Sequence, residues 1–116
     1  MDIRVSKTAG RDETRIALHG RFDAHEIEHF NQVTQAIYNH LCLDLDGVPF
    51  IDSSGLSALV ALYRQCGQRG LRLRIVRLQD PVWLILEITR LLPVLPIEQD
   101  TEYLHTEYLH TKGTLV

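Results

Sequence analysis

Four short stretches of this chain alternate apolar residues with others at period two: Ile3/Val5, Ile16/Leu18, Leu41/Leu43/Leu45 and Leu71/Leu73/Ile75. Successive side chains on a strand point to opposite faces, so this pattern builds a sheet with one apolar and one polar face. Arg4, Arg15, Asp44, Arg72 and Arg74 occupy the alternate positions. A sheet of that kind has to bury its single apolar face, and helices therefore belong mainly on that side.

Helical signals fill the gaps between these strands. "AGRDE" reads as a hairpin turn between the first two. After Gly20, Asp23 looks like an N-cap, with Glu26 three positions on completing a capping box. Ile27, Phe30, Val33 or Thr34, and Ile37 then give one apolar stripe. A second helix is predicted from about Ser54 to Gln68, stopped by Gly70. Asp80-Pro81 opens a third, because proline suits the first helical turn. Pro93 and Pro96 frame a short edge strand, Val94–Ile97. A last helix is predicted over about 100–112, and within it "TEYLH" occurs twice, at 101–105 and 106–110. The order is β-β-α-β-α-β-α-(β)-α. It predicts an α/β fold with a mixed four- to five-stranded sheet, the first pair antiparallel and the later strands parallel. No linker divides the 116 residues, so a single domain over 1–116 is expected.

Several function classes fall away at this stage. A net charge of −3 gives no reason to expect nucleic-acid binding. No apolar run is long enough for membrane insertion, and the N-terminus lacks the succession of a signal peptide. Cys42 and Cys66 make neither a metal spacing nor a disulfide framework. A reduced, cytoplasmic protein without a cofactor is the expectation.

The most unusual stretch is "FIDSSGLSALVAL", residues 50–62. An apolar run stops at Asp52, two serines and a glycine come next, and helical periodicity resumes with Leu56, Leu59, Val60 and Tyr63. A helix start offers unpaired backbone N–H groups and the positive end of the dipole. Ser53 or Ser54 can cap such a start, or the place can receive phosphate. The residues alone leave both open.

"LDLDGVPFIDSSGLSALVALYRQ" resembles the signature of the STAS domain family, the anti-sigma-factor antagonists. "LHGRFDAHEIEHF" and "LRLRIVRLQDPVWLILEITRL" resemble the family's earlier and later passages, so the likeness covers nearly the whole chain. It implies a non-enzymatic binding protein with a STAS fold. By position, Ser53 matches the serine that a partner kinase modifies, and Asp23 matches an acidic position beside it. Asp23, Asp52, Ser53, Ser54, Gly55 and Leu56 are the implied partner-binding residues, with Ser53 the implied phosphorylation site. The implied partners are an anti-sigma factor that is itself a serine kinase, and a metal-dependent serine phosphatase that resets the cycle. Ser57 departs from the pattern, which often has glycine or alanine there. Some STAS proteins, in transporters and lipid-trafficking complexes, bind without phosphorylation, and the sequence is compatible with that alternative.

Three further features invite function. "HEIEH", residues 25–29, matches the zinc-protease pattern H-E-x-x-H, but no third ligand is marked and Glu26 is already placed in a cap, so no metal is expected. Arg64, Arg69, Arg72, Arg74 and Arg77 fall in a span with no acidic residue between Ser53 and Gln79, which either steers an acidic partner or forms a solvated polar face. "PVWLILEI" is apolar nearly all round, and Trp83, Leu84 and Ile85 cannot all point inward. That predicts deep burial or an added contact, such as a homodimer.

Overall fold

The computed structural model describes residues 1–98, and the helix predicted over about 100–112 lies outside them. Strands β1 (Asp2–Lys7), β2 (Glu13–His19), β3 (His40–Gly47), β4 (Leu73–Val76) and β5 (Ile97–Glu98) form one sheet in the order β1-β2-β3-β4-β5. β1 and β2 are antiparallel, and the remaining neighbours are parallel. The helices are α1 (Ile27–Gln35), entered through a 3-10 turn at Ala24–Glu26, α2 (Ser53–Gln68) and α3 (Asp80–Ile88).

Register turns the period-two pattern into two faces. Val5 lies opposite Ile16, Ile16 beside Leu43 and Leu43 beside Ile75, so the alternating apolar residues share one side. Ile16, Leu43 and Ile75 join Phe30 of α1, Leu59 and Leu62 of α2, and Val82, Trp83 and Leu86 of α3 in the core, while Val5 on the edge strand is 53% exposed. The helices therefore cover that face. Thr34 rather than Val33 is the buried member of the α1 stripe, and its hydroxyl donates to the Phe30 carbonyl at 2.9 Å.

Two strand boundaries differ from expectation for a visible reason. Leu71 N donates to Cys66 O at 2.8 Å and so finishes the α2 exit before β4 begins. Val94 and Leu95 both donate to Leu91 O at 3.0 Å, which makes a turn where a strand was predicted, and pairing resumes only when Ile75 N reaches Pro96 O. In α3, Trp83 is buried, whereas Leu84 is 44% and Ile88 70% exposed. The apolar excess is thus divided between deep burial and an uncovered outer side.

The polar face holds itself together with ions. Arg15 donates to Asp44 at 2.6 Å. Arg74 grips both oxygens of Glu13 at 2.8 Å and reaches Glu98 at 2.8 Å. Arg77, at φ 61°, pairs with Asp46 at 2.9 Å. Arg69 donates to Ile37 O and stacks on Tyr38 at 4.6 Å. Three of the arginines expected to steer an acidic partner, Arg69, Arg74 and Arg77, are therefore engaged within the domain.

The Arg74 hydrogen bond holds the Glu13 carboxyl below its ordinary value, against burial, which raises it. A lowered carboxylate contributes stability above its unfolded pKa and loses it as pH falls through the folded one. Glu13→Gln should therefore cost about 1–3 kcal/mol at neutral pH. In urea unfolding, the gap to the original protein should shrink as pH drops below the usual carboxylate range. A gap that does not change with pH contradicts the assignment.

Candidate functional site

β2 and β3 leave the sheet side by side, and their exits stay joined. Gly20 N donates to Gly47 O at 2.9 Å, Phe22 N to Phe50 O at 3.0 Å and Asp52 N to Phe22 O at 3.2 Å. Phe22 and Ile51 form a parallel bridge and are buried, with the Phe22 ring 4.8 Å from that of Phe30. The two exits therefore end at one corner, from which the 3-10 turn starts on one side and α2 on the other.

Asp52 is the joint of that corner. One carboxylate oxygen accepts from Gly55 N at 2.9 Å and caps α2. The other accepts from Ala24 N at 3.3 Å, in the 3-10 turn. Gly55 is required by close approach, because a Cβ there would sit 2.5 Å from the Phe22 carbonyl oxygen and 2.6 Å from Ile51 Cγ1.

Since Asp52 supplies the cap, neither serine has to. Ser53 is the first residue of α2 and is exposed, and Ser54 is half-buried behind it. The capping role that the residues allowed to Ser53 or Ser54 belongs instead to Asp52. Ser53 is left as an exposed hydroxyl residue at a helix N-terminus, where added negative charge is favoured.

Asp23 sits on the same corner. Its carboxylate accepts from His25 N at 3.1 Å and lies 3.8 Å from Arg21, whose guanidinium covers the Phe50 ring at 4.3 Å. The predicted capping box with Glu26 does not form. The entry is a 3-10 turn, and the Glu26 carboxylate instead takes the Met1 ammonium at 3.0 Å. His25 belongs to that turn and only His29 to α1, so the two do not form the ligand pair, one turn apart, of a regular zinc-binding helix. Among the described residues no group of three ligating side chains gathers.

A groove of about 440 Å³ opens beside the serines. Ser54, Ser57, Ala58 and Ala61 line it from α2, and Ala24 and Ile27 face them from the other side. These α2 residues recur at helical spacing, and their small size keeps the groove open. Sequence reasoning did not pick out this stripe, although the spacing was there to be read. Ser57, the departure from the family pattern, is one of its exposed residues. Of the implied partner-binding residues, Asp23, Asp52, Ser53 and Ser54 lie at the accessible corner. Gly55 is buried beneath it, and Leu56 packs against the core.

The sequence matches the STAS domain family over residues 6–103. An anti-sigma F factor antagonist of Paenibacillus polymyxa is 26% identical over 102 residues, covering 84% of this chain and 87% of the relative. Among solved structures, an anti-sigma factor antagonist from Mycobacterium paratuberculosis superposes with a TM-score of 0.72 at 21% identity, over 87% of this chain and 86% of that one. The anti-sigma factor antagonist SpoIIAA in its unphosphorylated form gives 0.69 at 18% identity, over 97% of each chain. A sulfate transporter family protein from Wolinella succinogenes gives 0.68 at 20% identity, over 78% of this chain and 80% of that one. At these identities the structures establish the shared fold and leave the choice of partner to the site itself.

The corner's construction makes a stability prediction. Asp52→Asn keeps an acceptor for Gly55 N and should melt close to the original protein, whereas Asp52→Ala should lose about 0.5–2 kcal/mol with the cap. Gly55→Ala should cost about 1–3 kcal/mol through the forced contacts. Equal melting of the Ala and Asn variants at Asp52 would contradict the capping role.

Proposed function

The chain belongs to the STAS domain family, and on that premise we propose that it is an anti-sigma-factor antagonist, a partner-binding protein switched by phosphorylation at Ser53. In its unmodified form it binds an anti-sigma factor that is also a serine kinase. That kinase transfers phosphate to the Ser53 hydroxyl, the complex releases, and a metal-dependent serine phosphatase restores the free serine. The domain contributes no catalysis of its own and works in the cytoplasm. The name of the Paenibacillus relative and its coverage of both chains favour this over a transporter module.

The observation that carries the proposal is the division of labour at the corner. Asp52 caps α2, so Ser53 is exposed and modifiable without removing a structural hydrogen bond. Phosphate adds about −1.5 to −2 charge at neutral pH. Within the domain, the helix N-terminus compensates part of it. Toward a partner, the new charge adds to Asp23 and Asp52 and fills the mouth of the groove. Gly55 and Leu56 set the shape of this surface from beneath.

Incubation with the organism's candidate serine kinases, followed by phosphosite mapping, tests the acceptor. Ser53→Ala should abolish labelling and keep kinase binding, and labelling that continues on Ser54 at the original rate would overturn the assignment. Ala61→Arg tests the groove. Ala61 is exposed on α2, so the variant should melt normally and yet bind the kinase at least tenfold more weakly.

A further inference from the structure

The β1 edge of the sheet is open. Among the described residues β2 is the only neighbour of β1, and of the six β1 residues only Ile3 is half-buried. Edge strands are commonly kept from pairing by a proline, a bulge or a charge on the apolar side. β1 has no proline, and its register with β2 runs unbroken from Asp2 opposite His19 to Lys7 opposite Thr14. Lys7, on the side of Ile3 and Val5, is the one such charge it carries.

Period two decides which backbone groups face outward. Thr8 N donates to Glu13 O at 3.0 Å, so Thr8 turns its N–H and C=O toward β2. Ser6, Arg4 and Asp2, at every second position before it, do the same. On β2 the alternation holds in the other direction, where Gly20 N donates to Gly47 O at the end of β3. Ile3, Val5 and Lys7 therefore present their N–H and C=O groups to the open side.

A second copy of β1, running antiparallel, can meet this edge in few registers, because residues directly opposite one another share a face. Centring the pair on Val5 or on Ser6 sets Lys7 against Ile3 or against Val5. Centring it on Arg4 brings two guanidiniums face to face. Centring it on Ile3 satisfies every position. Ile3 meets Ile3, Val5 meets Met1, and Lys7 lies beyond the paired stretch. On the polar side Asp2 meets Arg4 of the second copy, and Arg4 meets its Asp2. Asp2 and Arg4 already pair along the strand at 2.9 Å, with both side chains exposed, so the four charges alternate around a square.

We propose that β1 is a docking edge for a second copy of this chain, joined antiparallel about Ile3 into one continuous sheet. Ile3 N donates to Ile3 O of the second copy, and Val5 N to its Met1 O, each reciprocally. Val5, uncovered in the single domain, is covered by Met1. The paired stretch is short, so the dimer is weak and forms as concentration rises.

Sedimentation equilibrium over micromolar to millimolar protein, with amide exchange on the same samples, tests this. Association should be reversible, and exchange at Ile3 and Val5 should slow with concentration while Lys7 stays fast. Val5→Pro removes an outward N–H that β2 does not use, so it should abolish the dimer and melt close to the original protein. Arg4→Asp should weaken association at least tenfold, and adding Asp2→Arg to it should restore the original affinity, because the square is rebuilt with its charges exchanged. Ile88→Lys, on the outer side of α3, should leave association unchanged. A monomer at every concentration, a dimer indifferent to Val5→Pro, an exchanged pair that does not recover, protection that extends to Lys7, or association lost in Ile88→Lys would each overturn the proposal.

Discussion

One carboxylate holds together the end of this domain that carries Ser53. Asp52 accepts from Gly55 N and from Ala24 N, so the starts of α2 and of the 3-10 turn are fixed to each other by a single side chain. The joined exits of β2 and β3 make this geometry available, and Gly55 makes it sterically possible. The position of Ser53, the width of the groove and the placement of Asp23 all depend on it. The cap also takes over the structural role that either serine would otherwise fill. Ser53 is then an exposed residue with no capping role in the fold.

The sheet divides the molecule's other tasks by face. Its apolar side, packed by α1, α2 and α3, supplies the hydrophobic stabilisation. Its polar side uses Arg15 with Asp44, Arg74 with Glu13 and Glu98, and Arg77 with Asp46. Glu13 and Asp44 are buried although charged, and each is paired, as buried charge must be. An arginine-rich segment can thus be an internal framework, and charge counted along the chain overstates what a partner meets.

The strands were legible because a half-buried sheet imposes strict period two. Leu41, Leu43 and Leu45 could hardly face different ways. The α2 start was legible to within a residue, because apolar periodicity resumes at Leu56. The identity of its cap was not, since Asp, Ser and Ser are all good caps and only the folded hydrogen bond from Gly55 N singles out Asp52. Glu26 was misassigned because a capping box presumes an α-helical first turn, and the chain makes a 3-10 turn there. The edge strand was placed too early because the turn at Leu91–Leu95 depends on carbonyls satisfied in three dimensions. Ser53 was singled out through the family likeness, while its exposure and its freedom from capping come only from the fold.

The central claim is that negative charge at Ser53 ends partner binding while the domain stays folded. Calorimetric binding to the partner kinase and thermal melting, both on one sample stoichiometrically phosphorylated at Ser53, measure it most directly. Binding should fall by at least tenfold, and the melting temperature should hold or rise slightly through the helix dipole. Phosphorylated protein that binds as tightly as the unmodified form contradicts the switch, and loss of binding that tracks a lowered melting temperature contradicts its electrostatic cause.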